Sequence, residues 1–178
     1  MSVNCLKVLL ILSIATYGVV VRAMLECRME SVSKIYGDNE TLMEFNFRLI
    51  GRQRLINGTI IFHVDLNDDF QVSNEIYTHV DGEWQPSTIG VKYKACTYLP
   101  LIYDKYFSPS FKDTNFPTGK GSCPVKKGEY YMRNAEIIAD NWASYARLGL
   151  VRTLLLIKRN NVLYGGLESL LVLSEKTF

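Results

Sequence analysis

The stretch SCPVKKGEYYMRN, Ser122 to Asn134, gathers a Cys-Pro step, two lysines, a glycine and a Tyr-Tyr pair. Its residue types suit a reactive thiol beside cations, a phosphate-binding loop, or the entry to a strand pinned by a disulfide. Lys126 and Lys127 would lower the pKa of a nucleophilic Cys123, but no histidine lies nearby in sequence to act as its base. TGKGS, residues 118–122, suggests a phosphate loop and fails: Thr114 stands where the motif needs glycine, and Gly121 follows Lys120 where Ser or Thr is required. The third reading fits. Cys123 ties the segment to another part of the chain, Pro124 and Gly128 shape a corner, and Glu129 to Met132 begin a strand in which Tyr130 and Tyr131 face opposite ways.

Working outward, strand patterns recur at short intervals. In LMEFNFRLIG the residues Met43, Phe45, Phe47 and Leu49 face one side, and Leu42, Glu44, Asn46 and Arg48 the other. In RLINGTIIFHVDLN, Asn57-Gly58 sits between apolar flanks and predicts a hairpin turn. DDFQVSNEIYTHVDGEW reads as a strand ending at the Asp81-Gly82 turn. YARLGLVRTLLLIKR and VLYGGLESLLVLSEK flank Asn160-Asn161 as a long hairpin. Long helical periodicity is missing, and there is no repeat or linker, so one all-β sandwich or barrel domain is expected.

The N-terminus indicates the compartment. Lys7 precedes an apolar run from Val8 to Val21, and Val21 and Ala23 are small residues suited to cleavage. Residues 1–23 therefore read as a secretory signal peptide, with a mature domain over 24–178 and secretion as the expected destination. The alternative is an uncleaved anchor, for which the run is short. Residues 24–178 hold 18 basic and 18 acidic residues, so no cationic excess points to nucleic acid. Cys27, Cys96 and Cys123 remain in that segment. In an oxidising compartment Cys96 and Cys123 make the best disulfide pair, and Cys27 is left over. NET at Asn39 and NGT at Asn57 are candidate glycosylation sites on exposed loops. His63 and His79 lie apart with no cysteine near, so no metal site or cofactor is expected.

One stretch breaks the strand pattern. YLPLIYDKYFSPSFKDTNF, Tyr98 to Phe116, lies between the two paired cysteines. Leu99, Ile102, Tyr103, Tyr106 and Phe107 follow helical spacing, Pro100 suits a first turn, and Pro109 stops it. It is either a short helix packed as ordinary core or an apolar lid over an opening between the sheets. On the lid reading, Tyr98, Leu101, Ile102, Tyr106, Phe107, Phe111 and Phe116 form one wall of a ligand site, and Trp142 and Leu148 line the other. Lys126, Lys127 and Arg133 are either a rim that meets an anionic headgroup or a solvated turn.

CPVKKGEYYMRNAEI resembles the Cys-Pro, charged pair, Gly-x-Tyr strand entry of the ganglioside-activator proteins. It is still more similar to their insect secreted relatives of the chemosensory B type, within the ML (MD-2-related) lipid-recognition superfamily. The resemblance runs through Cys27, Cys96 in YKACTY, the lid, SCPVKKGEYY, Trp142 and the C-terminal hairpin. It implies an immunoglobulin-like β-sandwich splayed around a lipid cavity, no catalysis by the domain itself, and a role in taste or pheromone sensing. The chain departs from the family where the activator's early cysteine finds its partner: VLYGGLESLL has Gly165 and Gly166 and no thiol.

The expected function is therefore secreted, non-enzymatic binding of a lipid or other hydrophobic ligand, with a chemosensory receptor or a membrane surface as candidate partner. Two alternatives stand beside it: an activator presenting a membrane glycolipid to a hydrolase, and a ligand-free interaction module with a filled core. An enzyme is disfavoured because the sequence has no assembled triad and no metal-ligand spacing.

Overall fold

The computed structural model describes residues 24–119, 121–142 and 147–176. The expected signal peptide, residues 1–23, lies outside the described residues. The chain folds as an all-β sandwich of two antiparallel sheets. Among the described residues ten strands build them: β1 Leu25–Ile35, β2 Met43–Ile50, β3 Leu55–Phe62, β4 Gln71–Val80, β5 Glu83–Pro86, β6 Val91–Lys94, β7 Asp113–Thr114, β8 Gly128–Ala135, β9 Gly149–Arg159 and β10 Val162–Glu175. The larger sheet runs β1-β10-β9-β4-β5, with β6 also on β4, and the smaller runs β2-β3-β8-β7.

The hairpin about Asn160-Asn161 forms as the sequence implied. Both residues take positive φ, 53° and 64°, the pair of left-handed conformations that matches strand twist in a two-residue turn. The Asp81-Gly82 turn between β4 and β5 also forms, with both residues at positive φ.

Asn57-Gly58 is a different matter and corrects the hairpin reading. It lies inside β3, with Arg48 opposite Asn57 and Phe47 opposite Gly58 on β2. The chain reverses earlier, where Arg54 N–H donates to Gly51 O at 3.2 Å. The β3–β8 register slips between Ile56 and Gly58. A Cβ on Gly58 would sit 2.0 Å from the Asn46 carbonyl oxygen. The glycine serves a bulge and a close backbone approach rather than a turn. The same placement corrects the view of Asn57 as a loop sequon: it is in mid-strand and its Nδ2 is buried without a partner. Asn39 does lie in an exposed loop, between β1 and β2.

The two sheets close against each other along one edge and at one end. On the β1/β2 edge, Arg54 Nε donates to Met29 O at 2.6 Å and Lys34 Nζ to Asn46 Oδ1 at 2.6 Å. At the β9–β10 hairpin end, Leu42 N–H donates to Tyr164 O and Asp38 N–H to Leu163 O, each at 2.9 Å. Phe70, buried there, meets Tyr164 edge-on at 5.9 Å. Along the opposite edge, between β5/β6 and β7, no backbone hydrogen bond joins the two sheets among the described residues, and the segment Ala95–Ser110 runs there from β6 toward β7.

Cys96 and Cys123 are bonded, with Cα atoms 5.3 Å apart. The bond fastens the start of that segment to the Cys-Pro corner, where Leu66 and Val125 exchange backbone hydrogen bonds of 2.8 and 3.0 Å. Replacing both cysteines by serine is expected to lower stability by about 3–4 kcal/mol, the chain-entropy value for a loop of this size. Urea unfolding measures it, and a loss below about 1 kcal/mol would mean that the loop is held without the bond.

Cys27 carries a free thiol, half-buried on β1 opposite Leu173. Burial pushes that thiol up to about 12, so little thiolate is present at neutral pH.

Candidate functional site

Between the sheets lies a cavity of about 520 Å³, within the roughly 300–1,000 Å³ range of ligand pockets. Strand alternation builds its larger wall. Val72, Asn74, Ile76 and Thr78 of β4 face inward, as do Val151, Thr153, Leu155 and Ile157 of β9 and Leu167, Ser169, Leu171 and Leu173 of β10. Phe45 and Phe47 of β2, Ile56, Ile60 and Phe62 of β3, and Met132 of β8 supply the facing wall.

The segment Ala95–Ser110 closes the open edge. It begins as one α-helical turn, Ala95–Tyr98, continues as a π-helix over Leu99–Phe107, and ends in a 3₁₀ turn at Ser108–Ser110. An ordinary short helix was the sequence expectation. The π form brings residues four and five apart onto one face, so Tyr98, Ile102, Tyr106 and Phe107 all line the cavity. Pro100 sits in the first turn, where its missing N–H costs nothing. Near the end, carbonyl groups are met from the β8–β9 connection: Trp142 Nε1 donates to Tyr106 O at 3.3 Å and Asn141 Nδ2 to Lys105 O at 3.4 Å. Such bonds satisfy acceptors that the helix itself leaves open.

An aromatic cluster anchors the segment to the smaller sheet. Tyr103 meets Phe116 edge-on at 5.0 Å and stacks on Phe111 at 6.1 Å, and Phe116 meets Tyr130 at 5.4 Å. Farther along, Phe107 and Trp142 meet edge-on at 5.8 Å. Asn74 Nδ2 donates to Tyr98 Oη at 2.9 Å. Burial raises the pKa of the Tyr98 and Tyr103 phenols, so both stay neutral at physiological pH. Tyr103 Oη is buried with no partner.

Seven of the nine wall residues read from the sequence line this cavity: Tyr98, Ile102, Tyr106, Phe107, Phe111, Phe116 and Trp142. Two do not. Leu101 is 52% exposed and Leu148 is 54% exposed. Leu101 lies on the outward face of the π-helix with Lys105, and Leu148 lies in the connection just before β9. The tyrosine pair divides as expected. Tyr130 packs inward on Phe62 at 5.9 Å, while Tyr131 faces outward under the Arg133 guanidinium at 4.5 Å.

The cationic rim is a further correction: Lys126, Lys127 and Arg133 do not line the cavity. Lys126 Nζ pairs with Asp65 Oδ2 at 2.9 Å, and Lys127 N–H donates to Asp65 Oδ1 at 2.8 Å. The Lys127 amide first, and then the Lys126 ammonium, hold the Asp65 carboxyl below its usual range. These lysines secure the Cys-Pro corner. Arg133 lines an open groove of about 770 Å³ on the outer face of the smaller sheet, together with Arg48, Asn57 and Tyr131. Among the described residues, the charged side chain that does line the cavity is that of Arg147.

No protein-family model matches the chain, and no curated protein matches it in sequence.

Proposed function

We propose that this chain is a secreted, non-enzymatic container for a lipid or similarly hydrophobic ligand, of the ganglioside-activator-like, ML type, serving chemosensation. The observation that carries the reading is the cavity, an unfilled space of about 520 Å³ whose walls are almost wholly apolar and which lies between two sheets and a covering helical segment. Protein interiors normally close such space, because lining atoms without neighbours forfeit dispersion contacts. A long-chain ligand would restore them. The Cys96–Cys123 bond supports an oxidising, extracellular destination, as does the signal-like N-terminus. The chemosensory part rests on the resemblance of the Cys-Pro segment.

The test is native mass spectrometry of protein secreted from eukaryotic cells, followed by extraction and identification of any bound lipid. The expected result is a mass excess that extraction removes. Protein that is secreted empty, and that takes up no acyl probe of any chain length, would sink the container reading in favour of an interaction module. Expression confined to tissues without sensory cells would remove the chemosensory role and leave the container.

A further inference from the structure

We infer that the ligand of this cavity carries a single anionic group, a carboxylate or a phosphate, held at the mouth by the guanidinium of Arg147. The inference rests on the container reading and specifies its ligand. Of the residues that line the cavity, only Gly90 and Arg147 are exposed; all the others are buried or half-buried. Among the described residues the lining thus reaches solvent at two places, at Gly90 in the β5–β6 connection and at Arg147, and only the second carries a charge. Among the described residues Arg147 is also the one charged side chain in the lining, and it forms no ion pair there.

The register of the larger sheet adds a polarity gradient. Arg147 precedes β9, whose first inward residue, Val151, stands opposite Thr78 of β4. One step deeper, Thr153 stands opposite Ser169 of β10. Both steps thus carry hydroxyl groups in the cavity wall. Deeper still, Leu155 stands between Leu167 of β10 and Asn74 of β4, whose amide is taken up by Tyr98 Oη at 2.9 Å, and Ile157 stands opposite Val72, toward the closed hairpin end. Apart from the hydrogen-bonded Asn74–Tyr98 pair and the Tyr103 hydroxyl, the wall beyond these steps is apolar. That is the complement of an amphiphile with its chain inward and its headgroup at the opening. A guanidinium meets carboxylate or phosphate oxygens through paired, charge-assisted hydrogen bonds, and a neutral hydroxyl gains much less from it.

The test is displacement of a neutral fluorescent apolar probe by palmitate, hexadecyl phosphate and hexadecanol, the two anions kept below their critical micelle concentrations and the alcohol below its solubility limit. Wild type and Arg147→Gln are compared, with melting temperatures recorded for both. In the wild type at least one of the two anions is expected to bind about tenfold tighter than the alcohol. Which anion gains identifies the headgroup as fatty-acid-like or phospholipid-like. Arg147→Gln should abolish the gain, bringing the anion's affinity down to that of the alcohol, with the melting temperature kept because Arg147 is exposed. Equal binding of acid, phosphate and alcohol by the wild type overturns the headgroup assignment and leaves the container standing. So does an Arg147→Gln variant that weakens all three ligands alike. Failure of the wild type to bind any of them overturns the container and this inference together.

Discussion

Gly165→Val is expected to cost more than about 4 kcal/mol and to leave little folded protein at physiological temperature. Gly165 lies where β10 bulges, at the register shift between Leu163 and Gly165, with φ at +142°. A Cβ placed there would sit 1.9 Å from the Met43 carbonyl oxygen. That oxygen belongs to the backbone of β2 in the other sheet, so no side-chain rotation relieves the overlap. The sheets would have to part at the end where Leu42 N–H holds Tyr164 O at 2.9 Å and where fully buried Met43 packs. The backbone conformation adds strain for a β-branched residue. Circular dichroism with urea unfolding checks the outcome. A loss within about 1 kcal/mol would mean that the two sheets are not clamped at this end.

The same glycine illustrates how much of the fold is legible in the sequence. Gly165-Gly166 reads there only as the place where the ganglioside activators that the Cys-Pro segment resembles carry a thiol. Its physical reason, a carbonyl from a strand more than a hundred residues away, is a long-range fact. Asn57-Gly58 misleads for the same cause. As a dipeptide it is a hairpin signal, yet the approach of Asn46 O to Gly58 makes it a bulge, and the shorter-range signal lost to the pairing of three strands. Turns closed by local backbone conformation alone, at Asp81-Gly82 and Asn160-Asn161, were legible.

The site follows a similar division. Residues of the helical segment stand out because aromatics in a connection need an apolar neighbour, and seven of the nine wall positions do line the cavity. Leu101 was misassigned because apolar character alone does not tell the two faces of a short helix apart. The sheet wall was missed for the opposite reason. LVRTLLLIKR and LESLLVL are apolar on both faces, so Thr153 and Ser169 do not announce that they point inward. Arg147 was invisible because its role depends on where the cavity opens. The lysines of the Cys-Pro segment looked available only because their acceptor, Asp65, is far away in sequence.

Thr153→Trp is expected to abolish binding of a long-chain probe while leaving the melting temperature unchanged or slightly raised. Thr153 stands in mid-β9, between Ile76 of β4 and Ser169 of β10, with its side chain in the cavity wall. An indole there enters empty space instead of displacing a neighbour. Tryptophan suits a strand, and the apolar contacts it gains offset the lost rotamer freedom. The ligand, by contrast, loses the middle of its site, and affinity should fall at least a hundredfold, about 2.7 kcal/mol. The competing expectation is equally definite. If the interior in solution collapses to close packing, the added ring overpacks it and costs about 1–3 kcal/mol. Leu101→Trp is the control, since Leu101 is 52% exposed on the outer face of the π-helix and should change neither quantity. The measurement pairs a fluorescent fatty-acyl titration with thermal unfolding of all three proteins. Binding lost with the fold intact marks Thr153 as the wall of an open container. Binding retained by Thr153→Trp would place the ligand elsewhere, and a lowered melting temperature with no binding by the wild type would identify a filled core.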